Sequence, residues 1–125
     1  MTFVLPLTDR DFTRALWKSA TECPGVFPGG VGVVPWMVPG GADIALATCE
    51  KMKEYDAAVW AHHGLFASGP DFDITFGLMH TIEKAAQIWV LQKPTGLPEL
   101  QTIQDDELRA IARDFNVQLK EAFLD

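Results

Sequence analysis

The segment from Asp71 to Lys93 constrains the fold more than any other, because it shows helical spacing twice over. One apolar series runs Phe72, Phe76, Met79, Ile82 or Glu83, Ala86 and Val90, and a second runs Leu78, Ile82, Ala85 and Trp89. A surface helix of a globular protein carries one apolar stripe. A helix that is apolar on two faces must lie between a sheet and something else, either another segment or another subunit. Its charges (Asp71, Asp73, Glu83, Lys84 and Lys93) sit mostly at its ends. Leaving the stripe of Leu78, Ile82, Ala85 and Trp89 in water would forgo several kcal/mol, at about 25 cal/mol per Å² of apolar surface.

The flanking segments supply the sheet. Ala57 to Ala61 is a continuous apolar run of strand length, of the kind buried on both faces. A short apolar piece, Leu65 to Ala67, lies between Gly64 and the Gly69-Pro70 break. Upstream, residues 24–41 hold ten of the chain's eighteen Gly and Pro residues, so this stretch is predicted as ordered loop with a brief strand at Val31 to Val34. Helices are predicted over Asp9 to Ala20, capped by Thr8 or Asp9, and over Ala42 to Tyr55. Pro94 to Pro98 forms a linker, and a last helix starts at Thr102 or Asp105, with Asn116 as its left-handed C-terminal residue. Val117 to Asp125 is an amphipathic tail carrying Leu119, Phe123 and Leu124. The order is an α/β layer pattern, a central sheet flanked by helices, expected as a single domain over residues 1–125. Two or three strands make a thin sheet for so much apolar surface, as though the chain were half of a larger fold.

Composition removes several functions. The 125 residues carry a formal charge of −7, so neither nucleic acid nor an anionic membrane surface is an expected partner. No apolar run approaches a membrane span. Met1 to Pro6 lacks the basic region, apolar core and cleavage site of a signal peptide. Two cysteines, Cys23 and Cys49, do not make a disulfide framework, so a reducing cytoplasm is the expected location.

Few residues can carry chemistry. His62-His63-Gly64 sits where a buried strand ends in a turn, a usual place for functional groups in α/β proteins. If both histidines are on the strand, their side chains point to opposite faces and only one serves a given site. One histidine cannot hold a catalytic zinc, which takes about three protein ligands. Glu22, between a helix and the Gly/Pro loop, is a candidate general acid or base, or else a solvated loop carboxylate. Cys23 with His63 lacks a third orienting group for a thiol nucleophile. His80 fits the surface of the long helix. Pro28 to Gly32 matches neither dinucleotide nor P-loop spacing. Trp17, Trp36, Trp60 and Trp89 fit core or interface anchors.

Several segments together resemble one family: Asp11 to Trp17, Ser19 to Cys23, Val26 to Gly32, Pro35 to Gly40, His63 to Pro70, Thr75 to Leu78 and Glu83 to Gln87. In order and nearly in spacing they resemble the C-terminal half of the L-rhamnulose-1-phosphate aldolases, within the class II aldolase and adducin-like fold. The resemblance covers essentially all 125 residues, and Pro35 to Gly40 is its most specific part. It implies a zinc-dependent aldehyde-lyase of rhamnose metabolism that cleaves L-rhamnulose 1-phosphate to dihydroxyacetone phosphate and L-lactaldehyde, with zinc as Lewis acid. It implies His63 as one of three histidine ligands and Glu22 as a catalytic residue near the aldehyde end. It also implies a homotetramer with sites near subunit interfaces.

The departures matter as much. The sequence holds no His-x-His pair, so two of the zinc ligands are missing, and the family's other catalytic glutamate and phosphate-holding loops have no match. The expectation is a chain without its N-terminal half, active when completed by that half. The alternative is a non-catalytic adducin-like assembly module or inactive fragment, since relatives use the fold without chemistry.

Overall fold

A computed structural model describes residues 8–125; the reading of Met1 to Pro6 lies outside the described residues. Helix α1 (Asp9–Trp17) starts where Thr8 Oγ1 accepts the Asp11 amide at 3.1 Å, with Asp9 and Asp11 facing the positive end of the helix. It stops three residues short of the predicted Ala20. The Ser19 hydroxyl and amide both donate to the Leu16 carbonyl, at 2.8 and 3.1 Å, and divert the chain from helical hydrogen bonding.

The turn that follows leads into a helix absent from the sequence reading, α2 (Glu22–Val26). Pro24 and Gly25, read above as loop, belong to it. Pro24 is the third helical residue, where a missing N–H costs nothing because the first turn has no internal acceptor for it. Glu22 is therefore in the first turn of a short helix and not on a loop.

Among the described residues the sheet has three strands in the order β1 (Gly32–Val34), β2 (Ala57–Trp60), β3 (Gly64–Ala67). Strand β1 pairs parallel with β2, Val33 opposite Val59, and the connection runs through α3 (Ala42–Met52). Strand β3 returns antiparallel, Val59 opposite Leu65. The two-sided burial expected of β2 holds: Ala57, Ala58 and Val59 are all buried. Ala57 and Val59 join a large core with Phe12, Leu16, Trp17 and Leu108, while Ala58 packs with Val34 and Ile44 beneath α3. Helix α3 ends before the predicted Tyr55, because the Glu54 and Tyr55 amides share the Lys51 carbonyl in a closing turn. That turn swings the Tyr55 ring onto Phe123, 6.5 Å between centroids.

Helix α4 (Phe72–Gln92) is capped by Asp71, whose Oδ1 accepts the Ile74 amide at 2.8 Å. Only one of its two apolar faces finds a cover among the described residues. Leu78, Ile82, Ala85 and Ala86 are buried in the main core, so the stripe argued above to need a partner is covered by the chain itself. The uncovered face is the other one, with Phe72 at 94% and Phe76 at 69% exposure. The linker contains a 3-10 turn at Lys93–Thr95. Helix α5 (Asp105–Asp114) begins at Gln104, whose amide donates to Glu107 at 2.7 Å. Asn116 takes the left-handed position foreseen for it, φ 52°, and the Asn116 and Val117 amides donate to the Arg113 and Ala112 carbonyls.

The tail folds back over α1. Phe123 is buried against Trp17 and reaches Gly30, whose φ of 93° and lack of a side chain are both required. A Cβ at Gly30 would lie 2.7 Å from the Phe123 ring. None of the described helices is long and apolar enough to cross a membrane.

A half-buried ionic cluster joins three parts of the chain. Asp105 accepts from Arg14 at 2.9 Å and from the Asp125 amide at 2.7 Å, and Lys18 lies 3.2 Å away. Burial would raise the Asp105 carboxyl, but the hydrogen bonds from Arg14, Asp125 and Lys18 outweigh it and hold the group well below the usual carboxylate range. A lowered folded pKa stabilises the fold above the unfolded value of about 4, and that stability drains away as pH falls further. With Arg14 and Asp105 side chains only 13% and 15% exposed, Asp105→Asn should cost about 3 kcal/mol at neutral pH. Urea unfolding across pH 2–7 should show the wild type losing stability below about pH 4, with a flatter acid limb in the variant.

Candidate active site

The carboxyl ends of parallel strands are where open α/β sheets place ligand-binding groups. Here β1 and β2 end together at Val34 and Trp60, and the Ala61 amide extends their pairing by donating to the Val34 carbonyl at 3.0 Å. Residues 61–63 then make the tight turn into β3. Both His62 and His63 lie in that turn, so strand alternation, used above to separate them, does not govern their directions. His62 occupies the left-handed region at φ 60°. The His63 amide donates to the Trp60 carbonyl at 3.0 Å, and its ring meets the Trp60 indole edge to face at 5.1 Å. The same indole stacks on Phe66 at 5.8 Å, and its buried N–H has no acceptor among the described residues.

A cavity of about 220 Å³ opens beside His63, between the β2–β3 hairpin, α1 and α4. Phe12, Val59, Leu65 and Ile82 form its apolar walls, and Glu83 is the carboxylate on its lining. Glu22 is not part of that lining; it is exposed at the start of α2. The structure thus brings His63 and Glu83, not His63 and Glu22, to one cavity. Glu83 was passed over in the sequence because it alternated with Ile82 as a member of an apolar series. Its signal was a charge interrupting that series in mid-helix. His80 is exposed, its ring stacked on Phe76 at 5.8 Å. Of the tryptophans, Trp17 is a core anchor, whereas Trp36 remains 61% exposed.

Among the described residues, no group of three His, Cys, Asp or Glu side chains is placed to hold a metal ion. His63 is one imidazole donor, and a catalytic zinc takes about three protein ligands. The side chains present therefore do not make a zinc centre by themselves.

Cys23 is no nucleophile. Burial, with the Glu22 charge beside it, pushes its thiol up to about 12, so the reactive thiolate is scarce at neutral pH. Cys49 is exposed on α3. A thiol reagent at pH 8 should modify Cys49 alone in the native chain and Cys23 only after unfolding; intact-mass analysis after timed quenching would reveal a second fast label if Cys23 were accessible.

Residues 7–90 match the profile of the Class II Aldolase and Adducin N-terminal domain. The chain is 48% identical over 124 residues to a rhamnulose-1-phosphate aldolase of Listeria monocytogenes, with 99% of this chain and 45% of the relative covered. Against the Klebsiella pneumoniae rhamnulose-1-phosphate aldolase the identity is 47% over 125 residues, again over 45% of the relative. The chain thus spans just under half the length of these curated relatives. Among solved structures, YgbL of Klebsiella pneumoniae, a putative aldolase/epimerase/decarboxylase, superposes with a TM-score of 0.66 at 21% identity, covering 88% of this chain and 50% of that one. An L-fuculose 1-phosphate aldolase gives 0.63 at 22% identity, covering 86% and 51%. At such identities the likeness concerns the fold, which is α/β and of the class II aldolase type.

Proposed function

We propose, on the premise that this chain belongs to the class II aldolase and adducin family, that it forms part of an aldehyde-lyase acting on a phosphorylated ketose. The observation that carries the reading is the 48% identity to a rhamnulose-1-phosphate aldolase along 99% of this chain. On this reading the substrate is L-rhamnulose 1-phosphate and the products are dihydroxyacetone phosphate and L-lactaldehyde. The zinc that the resemblance implies would take one ligand from His63 and the others from outside this chain; when bound, it polarises carbonyl oxygens as a Lewis acid. Glu22 holds or delivers a proton at the aldehyde end. The roles that the resemblance gives to His63 and Glu22 favour this over an inactive assembly module. With free thiols on the chain, a reducing cytoplasm is the fitting location.

The experiment supplies the remainder of a curated relative as a fusion or second chain and measures cleavage of rhamnulose 1-phosphate. Activity should appear. His63→Ala should lower both zinc content and turnover. Glu22→Gln should keep zinc and lower turnover by roughly 10²–10⁴-fold, the worth of a positioned acid or base. Loss of zinc in both variants would make Glu22 a ligand or a clamp on one; no change in either would leave it a solvated carboxylate.

The exposed face of α4 also favours association, with a second copy or with the completing half. Phe72, Phe76 and Leu91 on that face all remain more than half exposed. Light scattering at micromolar concentration should show a species larger than one chain, and Phe72→Ser with Phe76→Ser should shift it toward the monomer.

A further inference from the structure

His63 is exposed, so the orientation of its ring has to be set by contact and not by burial. The contact comes from its own turn. The His63 amide donates to the Trp60 carbonyl at 3.0 Å and closes the turn, and the two rings meet at 5.1 Å between centroids and 87° between planes. That is the perpendicular arrangement that aromatic quadrupoles favour. The indole is itself braced. Ala58 is opposite Phe66 in the hairpin register, so Trp60, two residues on from Ala58, shares a sheet face with Phe66. The Trp60 and Phe66 rings stack at 5.8 Å and 10°, and Trp60 packs on the small core of Val34, Ile44 and Ala58. Tryptophan at this position carries a cost, because its buried N–H has no acceptor among the described residues. Leucine or phenylalanine would cover the same core without that unmet donor. What the indole adds is a large, fixed ring beside His63.

We propose that Trp60 is a positioning residue: braced by Phe66, it holds the His63 imidazole in one orientation before any ligand binds. The extra attraction of an aromatic pair is enough to favour one side-chain rotamer about fivefold over the others together. The use of that preorganisation rests on the aldolase reading above, since a histidine already in its binding orientation loses less freedom on coordination. The packing itself does not rest on it.

The test reads the His63 χ1 rotamer from three-bond NMR couplings to its β hydrogens in the 125-residue chain, without metal or substrate. One rotamer should outweigh the others by about fivefold, and the indole ring current should displace the His63 ring protons. Trp60→Leu keeps apolar bulk without the ring and should abolish both signatures. Trp60→Phe should keep part of the preference, and Phe66→Leu should lower it part-way by loosening the indole. Leu65→Ala, on the opposite face of β3 against the main core, loosens the hairpin without touching these rings and should leave the ratio unchanged. An unchanged ratio in a folded Trp60→Leu overturns the proposal. So does an equal loss in Leu65→Ala, which would make the effect one of hairpin stability. If Trp60→Leu loses the amide spectrum of the fold, Phe66→Leu decides, because Phe66 is 48% exposed and its replacement should fold; an unchanged ratio there overturns the proposal too. Zinc titration of the chain completed by the remainder of a relative then separates this proposal from the reading beneath it. A rotamer preference that depends on Trp60, with zinc binding indifferent to His63→Ala, would remove the metal reading alone. Zinc binding that needs His63, with a ratio indifferent to Trp60, would remove this proposal alone. Where both hold, Trp60→Leu should weaken zinc binding about 2.5-fold, as the competent rotamer falls from about five-sixths to about one-third of the population.

Discussion

Four residues, Ala57 to Trp60, hold the other parts in register. Among the described residues, strand β2 is the one with a neighbour on both sides, and its side chains alternate between two cores. Alanine at 57 and 58 lets α3 on one face and α1 and α4 on the other approach the sheet closely. A larger side chain at either position would have to displace a helix, at a typical cost of about 1–3 kcal/mol for overpacking. The same strand aims the candidate site. Its last residue, Trp60, is opposite Val34 on one side and Gly64 on the other, and the turn from that point carries both adjacent histidines. The position of His63 is thus a consequence of core packing some four residues upstream.

How much of this was legible in the sequence depended on which physical rule governed each element. Periodicity identified α4, and the C-terminal capping rule identified the left-handed Asn116, because both are local devices. The apolar run of β2 showed its two-sided burial directly. Helix α2 escaped because Pro24 and Gly25 were weighed as breakers, while the first turn of a helix tolerates proline. The ends of α1 and α3 shifted because the Ser19 hydroxyl and the shared Lys51 carbonyl end helices by hydrogen bonds that periodicity does not encode. The two faces of α4 were both visible, but which one the chain covers was settled by α1 and α2, segments distant in sequence.

The site shows the same division. His63 was singled out from its place at a strand end, and the structure keeps it there, although in a turn where strand alternation no longer applies. Glu83 escaped notice because a helical wheel assigns a residue to a face by angle alone. Residues 82 and 83 differ by about 100° around α4. Ile82 packs into the core and Glu83 reaches the edge of the same cavity, so both belong to its wall for different reasons. Placing a strand-end histidine and a mid-helix carboxylate on one cavity lining needs the sheet-to-helix geometry, which no motif spacing contains.

A chain that spans just under half of its curated relatives can still have a well-packed interior, and the arrangement of charges explains how. The segment that could peel away most readily is the C-terminal tail, since it is short and has little regular structure. It is held by Arg14, which donates to both Asp105 and the Phe123 carbonyl, at 2.9 and 2.8 Å, and by Phe123 inserted against Trp17. Those contacts cover the side of α1 that the sheet does not reach. Apolar surface is left over at several places, among them Phe72 and Phe76 on α4, Trp36 and Phe66, and Leu97, Leu100 and Phe115. Further protein would therefore be most stabilising on these exposed apolar patches, which the tail and its ion pairs do not reach.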